Sequence, residues 1–86
     1  MIQLIYAPAF IRALNKLSVD LQEEAMEKIE LFRNEKSHTQ LKIHKLRGRL
    51  EGRLSFSVNF KTRIIFQYLA PKKATLLTIG DHDIYR

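Results

Sequence analysis

The chain of 86 residues has no cysteine, two prolines, three glycines and nine acidic residues against fifteen basic ones. Each shortage excludes something. Without cysteine there are no disulfides, no thiolate zinc sites and no cysteine nucleophile, which fits a reducing cytosol. No apolar run approaches the ~18 residues of a membrane span. The start, Met1-Ile-Gln-Leu-Ile-Tyr6, lacks the basic opening and longer apolar stretch of a secretory signal. The length is too small for a dinucleotide-binding fold or a TIM barrel, and one domain over residues 1–86 is expected. With 45% hydrophobic and 28% charged residues, the composition is that of a folded chain. Neither a glycine-rich phosphate loop, a dinucleotide fingerprint nor a Ser-His-Asp order is present.

The shortage of acid is local. Residues 1–35 carry four cations and six anions, net −2, and residues 64–86 carry three and two, net +1. Residues 36–63 carry eight cations (Lys36, Lys42, Lys45, Arg47, Arg49, Arg53, Lys61, Arg63) against Glu51 alone, net +7. A one-sided basic block implies a polyanionic partner, whereas a merely solubilising charge would be spread along the chain.

The hydrophobic pattern places this block in a fold. Residues 1–6 alternate and read as a strand. Pro8 suits a first helical turn, and Phe10, Ala13, Leu14 and Leu17 follow at helical spacing. After Ser18-Val19-Asp20, Leu21, Ala25, Ile29 and Phe32 mark a second helix, with Asp20 and Glu23 at capping-box spacing. Residues 34–40 read as a polar loop, and residues 41–46 have no clear period. From Gly52 the period becomes two, with Leu54, Phe56, Val58 and Phe60 on one face and Arg53, Ser55, Ser57, Asn59 and Lys61 on the other. A turn over residues 59–62, a strand over 63–69, a turn over 70–73 and a strand over 75–79 complete the pattern. The expected class is α+β, in the order β-α-α-β-β-β: two helices on one face of a small, mostly antiparallel four-stranded sheet. The other face is expected to be partly wet, a polar and basic platform for nucleic acid.

Individual residues allow more than one role. The run His44-Lys45-Leu46-Arg47-Gly48-Arg49 can hold phosphates or form a solvated loop. Arg63 can be a sheet-edge charge or a phosphate clamp. His82 has the pKa range for proton transfer near neutrality. Tyr85 can donate a proton, stack on a base or pack. His82 with Asp81 and Asp83 makes a poor metal set, since only one histidine is local.

Lys45-Leu-Arg-Gly48, Gly52-Arg-Leu-Ser-Phe-Ser-Val58, Arg63-Ile-Ile-Phe66, Ile79-Gly-Asp-His82 and Tyr85, in this order and spacing, resemble the RelE/ParE superfamily, the toxins of bacterial type II toxin–antitoxin pairs. The resemblance covers essentially the whole chain. It implies a RelE-like fold, a cognate antitoxin and one of two activities in the cytoplasm. RelE- and YafQ-like members are ribosome-dependent mRNA endonucleases that need no metal or cofactor, and ParE-like members inhibit DNA gyrase. In the YafQ-like branch a basic-loop histidine, cations on the sheet and a C-terminal histidine followed by an aromatic residue form the site. His44, Lys61 with Arg63, His82 and Tyr85 take those places here. Ser57 stands where that branch tends to have histidine and Lys61 where it tends to have aspartate, and the interval from His82 to Tyr85 is one residue short. Cleavage by the RNA's own 2′-hydroxyl needs a base, an acid and cations on the phosphate. His82, His44, Arg63 and Tyr85 are the expected catalytic set, and Lys45, Arg47, Arg49, Arg53, Ser57 and Lys61 the expected phosphate contacts.

Overall fold

A computed structural model describes residues 1–36 and 38–85. Strand β1 (Gln3–Tyr6) leads into helix α1 (Pro8–Asn15), which begins on Pro8 as expected, because a first-turn residue needs no N–H for the helix ladder. Helix α2 (Val19–Arg33) follows at once. Its N-cap is Ser18, whose hydroxyl accepts from the Leu21 N–H at 3.2 Å. The capping role expected of Asp20 therefore falls to Ser18, and Asp20 sits inside the first turn, where its charge complements the exposed N–H groups. A four-residue helix α3 (His38–Leu41) interrupts the segment expected to be a polar loop. It forms because Leu41 drops into the core and is fully buried.

The remaining elements are β2 (His44–Lys45), a 3₁₀ turn (Gly48–Leu50), β3 (Leu54–Ser57), β4 (Arg63–Ala70), β5 (Lys73–Gly80) and a second 3₁₀ turn (His82–Tyr85). They make one sheet in the order β1-β5-β4-β3-β2. The sheet has five strands rather than four, since residues 44 and 45 pair antiparallel with Ser55 and Leu54. Two residues are too short a stretch to show a period of two, which is why the sequence pattern does not reveal them. β1 runs parallel to β5, and the other three pairings are antiparallel.

Both long helices cover one sheet face. Phe10, Ala25, Ile29 and Phe32 meet Phe56, Ile64, Phe66, Ala74, Leu76 and Ile79 in one apolar cluster. At its centre Phe32 stacks on Phe56 with ring centroids 4.8 Å apart and tilts against Phe66 at 4.7 Å. A β-bulge between Ile65 and Phe66 accommodates the extra residue opposite, so that Leu76 and Ile79 both reach this core.

The alternation expected to run to Phe60 stops at Ser57. The Asn59 side-chain oxygen accepts from the backbone N–H groups of Lys61 (2.9 Å) and Thr62 (2.7 Å) and closes a tight turn. Val58 stays buried while Phe60 is turned out to 89% exposure. Phe60 is therefore a loop tip and not a core residue.

The expectation of an open polar face also needs correction. Ser55 is 0% and Ser57 8% exposed. The chain leaving β5 folds back over this end of the sheet: an added Cβ at Gly80 would stand 2.5 Å from the Ile84 side chain, so the turn lies directly against the strand. The Asp81 carboxylate caps the turn by accepting from the Asp83 N–H at 3.0 Å. The same face buries Ile65, which stands outside the helix-side cluster.

Candidate functional site

Residues paired across neighbouring strands point to the same side of a sheet. The register His44↔Ser55↔Ile65↔Thr78 therefore forms one row on the face away from the helices, and Ser57↔Arg63↔Gly80 forms the next. The C-terminal turn brings Tyr85 onto these rows. Thus three segments far apart in sequence supply a single patch: His44 from edge strand β2, Ser55 and Ser57 from β3 with Arg63 from β4, and Tyr85 from the turn.

The patch is held by a chain of hydrogen bonds. The Tyr85 hydroxyl donates to Ser55 Oγ at 3.3 Å. Ser55 Oγ lies 3.4 Å from His44 Nε2, and His44 Nδ1 lies 3.2 Å from the Lys42 carbonyl oxygen. Lys42 has φ +54°, a left-handed backbone that turns this carbonyl at the entry to β2. Beside the chain, Ser57 Oγ and Arg63 Nη1 are buried with no hydrogen-bond partner among the described residues. Two adjacent buried polar groups left unsatisfied are costly in a folded protein, by about 1–3 kcal/mol each, unless a ligand completes them.

Not every expected site residue joins the patch. His44, Arg63, Tyr85 and Ser57 do. His82 is exposed in the same 3₁₀ turn, with its ring centroid 6.4 Å from that of Tyr85, so it stands at the rim. Arg53 precedes β3 on the site side by alternation, and its carbonyl accepts from the Leu46 N–H at 2.9 Å. Lys45 pairs with Leu54 and takes the opposite face from His44. Arg47, at the entry to the 3₁₀ turn that connects β2 to β3, and Arg49 within it are exposed, and Lys61 is exposed on the 59–62 turn at the far end of β3. A groove of about 800 Å³ beside the edge strand is lined by His44, Lys45, Arg47 and Arg53 together with Glu51. It joins the histidine of the patch to part of the basic block.

Ser55 is the residue that the sequence reading left out of the site. The signal was present, since Ser55 and Ser57 share the polar parity of β3, but an alternating serine is equally the mark of a solvated face. The clear pKa displacements lie elsewhere. The Glu35 carboxyl is held below its ordinary range by the hydrogen bond from Lys72 and then by the chain's terminal amine, and Glu30 is lowered by hydrogen bonds from Arg33 and Asn34. Burial, followed by the charge of Glu35, raises Tyr68. No group of three or more histidine, aspartate or glutamate side chains that could hold a metal ion occurs among the described residues.

No protein-family model matches the sequence, and no curated protein matches it. Solved structures do match. YafQ from E. coli strain BL21(DE3) superimposes with a TM-score of 0.79 at 15% identity, covering 98% of this chain and 97% of the other. A RelBE toxin–antitoxin complex from Mycobacterium tuberculosis contains a chain matching with a TM-score of 0.75 at 17% identity, over 94% and 98% of the two chains. A copper-bound mutant toxin from Helicobacter pylori matches with a TM-score of 0.72 at 17% identity over 100% of both. Such agreement over whole chains at such low identity is a likeness of backbone. The chain has the fold of the RelE/ParE-type toxins.

Proposed function

We propose that the protein is the toxin of a type II toxin–antitoxin pair and acts in the cytoplasm as a ribosome-dependent mRNA endonuclease. The observation that carries this reading is the pair of unsatisfied buried groups, Ser57 Oγ and Arg63 Nη1, beside the His44–Ser55–Tyr85 chain. A hydroxyl and a guanidinium nitrogen without partners, on residues paired across β3 and β4, suit the oxygens of a phosphodiester. They are pre-oriented, so they need not reorganise as charge builds on the phosphorus centre.

In this reading the RNA 2′-hydroxyl attacks the adjacent phosphorus and the 5′-oxygen leaves. Arg63 bears on the phosphate oxygens. His44, linked to Tyr85 through Ser55, and His82, with its ring 6.4 Å from that of Tyr85, take a proton from the nucleophile and give one to the leaving group. Tyr85 orients the phosphate or stacks on a base. No metal or cofactor is needed for this chemistry. Lys45, Arg47, Arg49, Arg53 and Lys61 contact the backbone of the RNA without reading its sequence. The shallow site leaves alignment of the 2′-hydroxyl to the ribosome, which explains a need for it. An antitoxin with an acidic or helical segment covers the basic block and offsets its charge. The toxin–antitoxin complexes among the structural neighbours support that partner.

The test is to induce the wild type and the variants His82→Ala and Arg63→Ala in cells and to map mRNA 5′ ends during translation. New ends within translated frames from the wild type, and their loss in Arg63→Ala, are expected. Growth arrest with intact mRNA would overturn the proposal, and inhibited supercoiling by purified gyrase would then point to the ParE-like activity.

A further inference from the structure

The hydrogen-bond chain through Ser55 has a direction that its donors and acceptors dictate. A carbonyl oxygen only accepts, so the 3.2 Å contact to Lys42 requires a proton on His44 Nδ1. In the neutral imidazole Nε2 is then a bare acceptor. Its partner is Ser55 Oγ, so the serine hydroxyl donates toward His44 and its oxygen is left to accept. The group that donates to it is the Tyr85 hydroxyl. For the neutral imidazole this sets one order of protons along Tyr85–Ser55–His44–Lys42, with Ser55 its buried member and His44 its exposed one.

We propose that Ser55 is a positioning residue that couples the protonation state of His44 to the orientation of the Tyr85 hydroxyl. With His44 neutral, the phenol proton is held inward on Ser55. When Nε2 gains a proton, it becomes a donor to Ser55 Oγ, the serine hydroxyl rotates toward Tyr85, and the phenol proton is released outward to the site. No covalent bond beyond the one at Nε2 is made or broken, since the rest is rotation about two C–O bonds. The charged and titratable groups on the elements around this chain are Lys42 before His44, Lys45 on the opposite face of β2, Glu51 and Arg53 before β3, Arg63 on β4, and Asp81, His82 and Asp83 in the C-terminal turn. Lys42 joins the relay through its backbone carbonyl oxygen. The inference deepens the reading of this site as a nuclease centre: protonation of His44 would, through Ser55, turn the tyrosine proton toward the phosphate.

The imidazole nitrogens report the coupling without any RNA. The experiment is ¹⁵N NMR of the histidine side chains in the free protein, with His44 neutral, in the wild type, Ser55→Ala, Ser55→Thr and Tyr85→Phe. The wild type is expected to show His44 in the Nδ1–H form, the rarer one for free histidine. In Ser55→Ala the bare Nε2 signal moves downfield as its hydrogen bond is lost, Tyr85→Phe gives a smaller move in the same direction, and Ser55→Thr keeps the wild-type position. An Nε2–H form in the wild type overturns the proposal, as does an unmoved Nε2 signal in a folded Ser55→Ala. Should Ser55→Ala not fold, the wild-type form and the Tyr85→Phe shift decide the matter alone. Absence of mRNA cleavage by the wild type would remove the nuclease reading and leave these signals, and the coupling they measure, to stand or fall separately.

Discussion

The two faces of the sheet are buried in different ways. On the helix side Phe32, Phe56 and Phe66 fill the centre with rings that carry no polar atom, and the buried Arg33 Nε at the end of α2 is without a partner among the described residues. On the other side Ser55 and Ser57 are buried and Arg63 is half-buried, and Ser57 Oγ and Arg63 Nη1 have no partner among the described residues. The first arrangement stabilises the fold. The second costs stability and is expected where a ligand supplies the missing contacts. Strand β3 shows the division within four residues, because Leu54 and Phe56 serve the core while Ser55 and Ser57 serve the patch.

Substitutions on each face should therefore separate stability from activity. The largest effect is expected for Phe32→Ala, which empties the centre of the ring cluster and should lower unfolding free energy by about 3–5 kcal/mol in urea denaturation. In so small a domain that leaves little folded protein, and any loss of activity would follow the folded fraction. Arg63→Ala should do the reverse. Cleavage of translated mRNA is expected to fall by about 10²-fold or more, as for loss of a charge-stabilising donor. The unfolding free energy should change by less than about 1 kcal/mol, because the orphaned Nη1 gives up no hydrogen bond. A loss of stability comparable to that of Phe32→Ala would abolish the distinction between the faces.

Ser57→Ala sharpens the same contrast with a smaller change. Removing a buried hydroxyl without a partner should leave stability unchanged or raise it by up to about 1 kcal/mol, while cleavage falls several-fold. A clear drop in stability would mean that the hydroxyl is satisfied in the folded protein. The smallest effect belongs to neither face. Glu35, held low by Lys72 and the terminal amine, has a folded pKa below its unfolded value of about 4.3. Its contribution to stability is thus present above that value and is lost as pH falls through the lowered folded pKa. Between pH 6 and pH 3 the melting temperature of the wild type should fall slightly more than that of Glu35→Gln, and identical profiles would show that these exposed ion pairs contribute nothing.

Much of this arrangement was legible in the residues. The helices announced themselves through Phe10, Leu14, Ala25, Ile29 and Phe32, because burial on one face imposes a period that sequence displays, and strands β4 and β5 through short apolar-rich segments bounded by turns. What escaped were features set by contacts distant in sequence. β2 is two residues long and exists only because β3 offers an edge. The parallel pairing of β1 with β5 joins residues 70 positions apart (Gln3 with Lys73). Phe60 looked apolar enough for the core, yet the local hydrogen bonds of Asn59 turned it outward.

The site divides along the same line. Sequence alone determined which side chains are available: the +7 block of residues 36–63, the histidines at 44 and 82, Arg63 and Tyr85, and the absence of cysteine. It also determined the parity that sets Ser55 and Ser57 apart from Phe56. Only the tertiary structure decided that Ser55 links His44 to Tyr85, that His82 stands at the rim, and that the serine face is covered. Those outcomes depend on the C-terminal turn packing against Gly80, a contact in which shape complementarity between a bare backbone and Ile84 matters and local pattern carries no information.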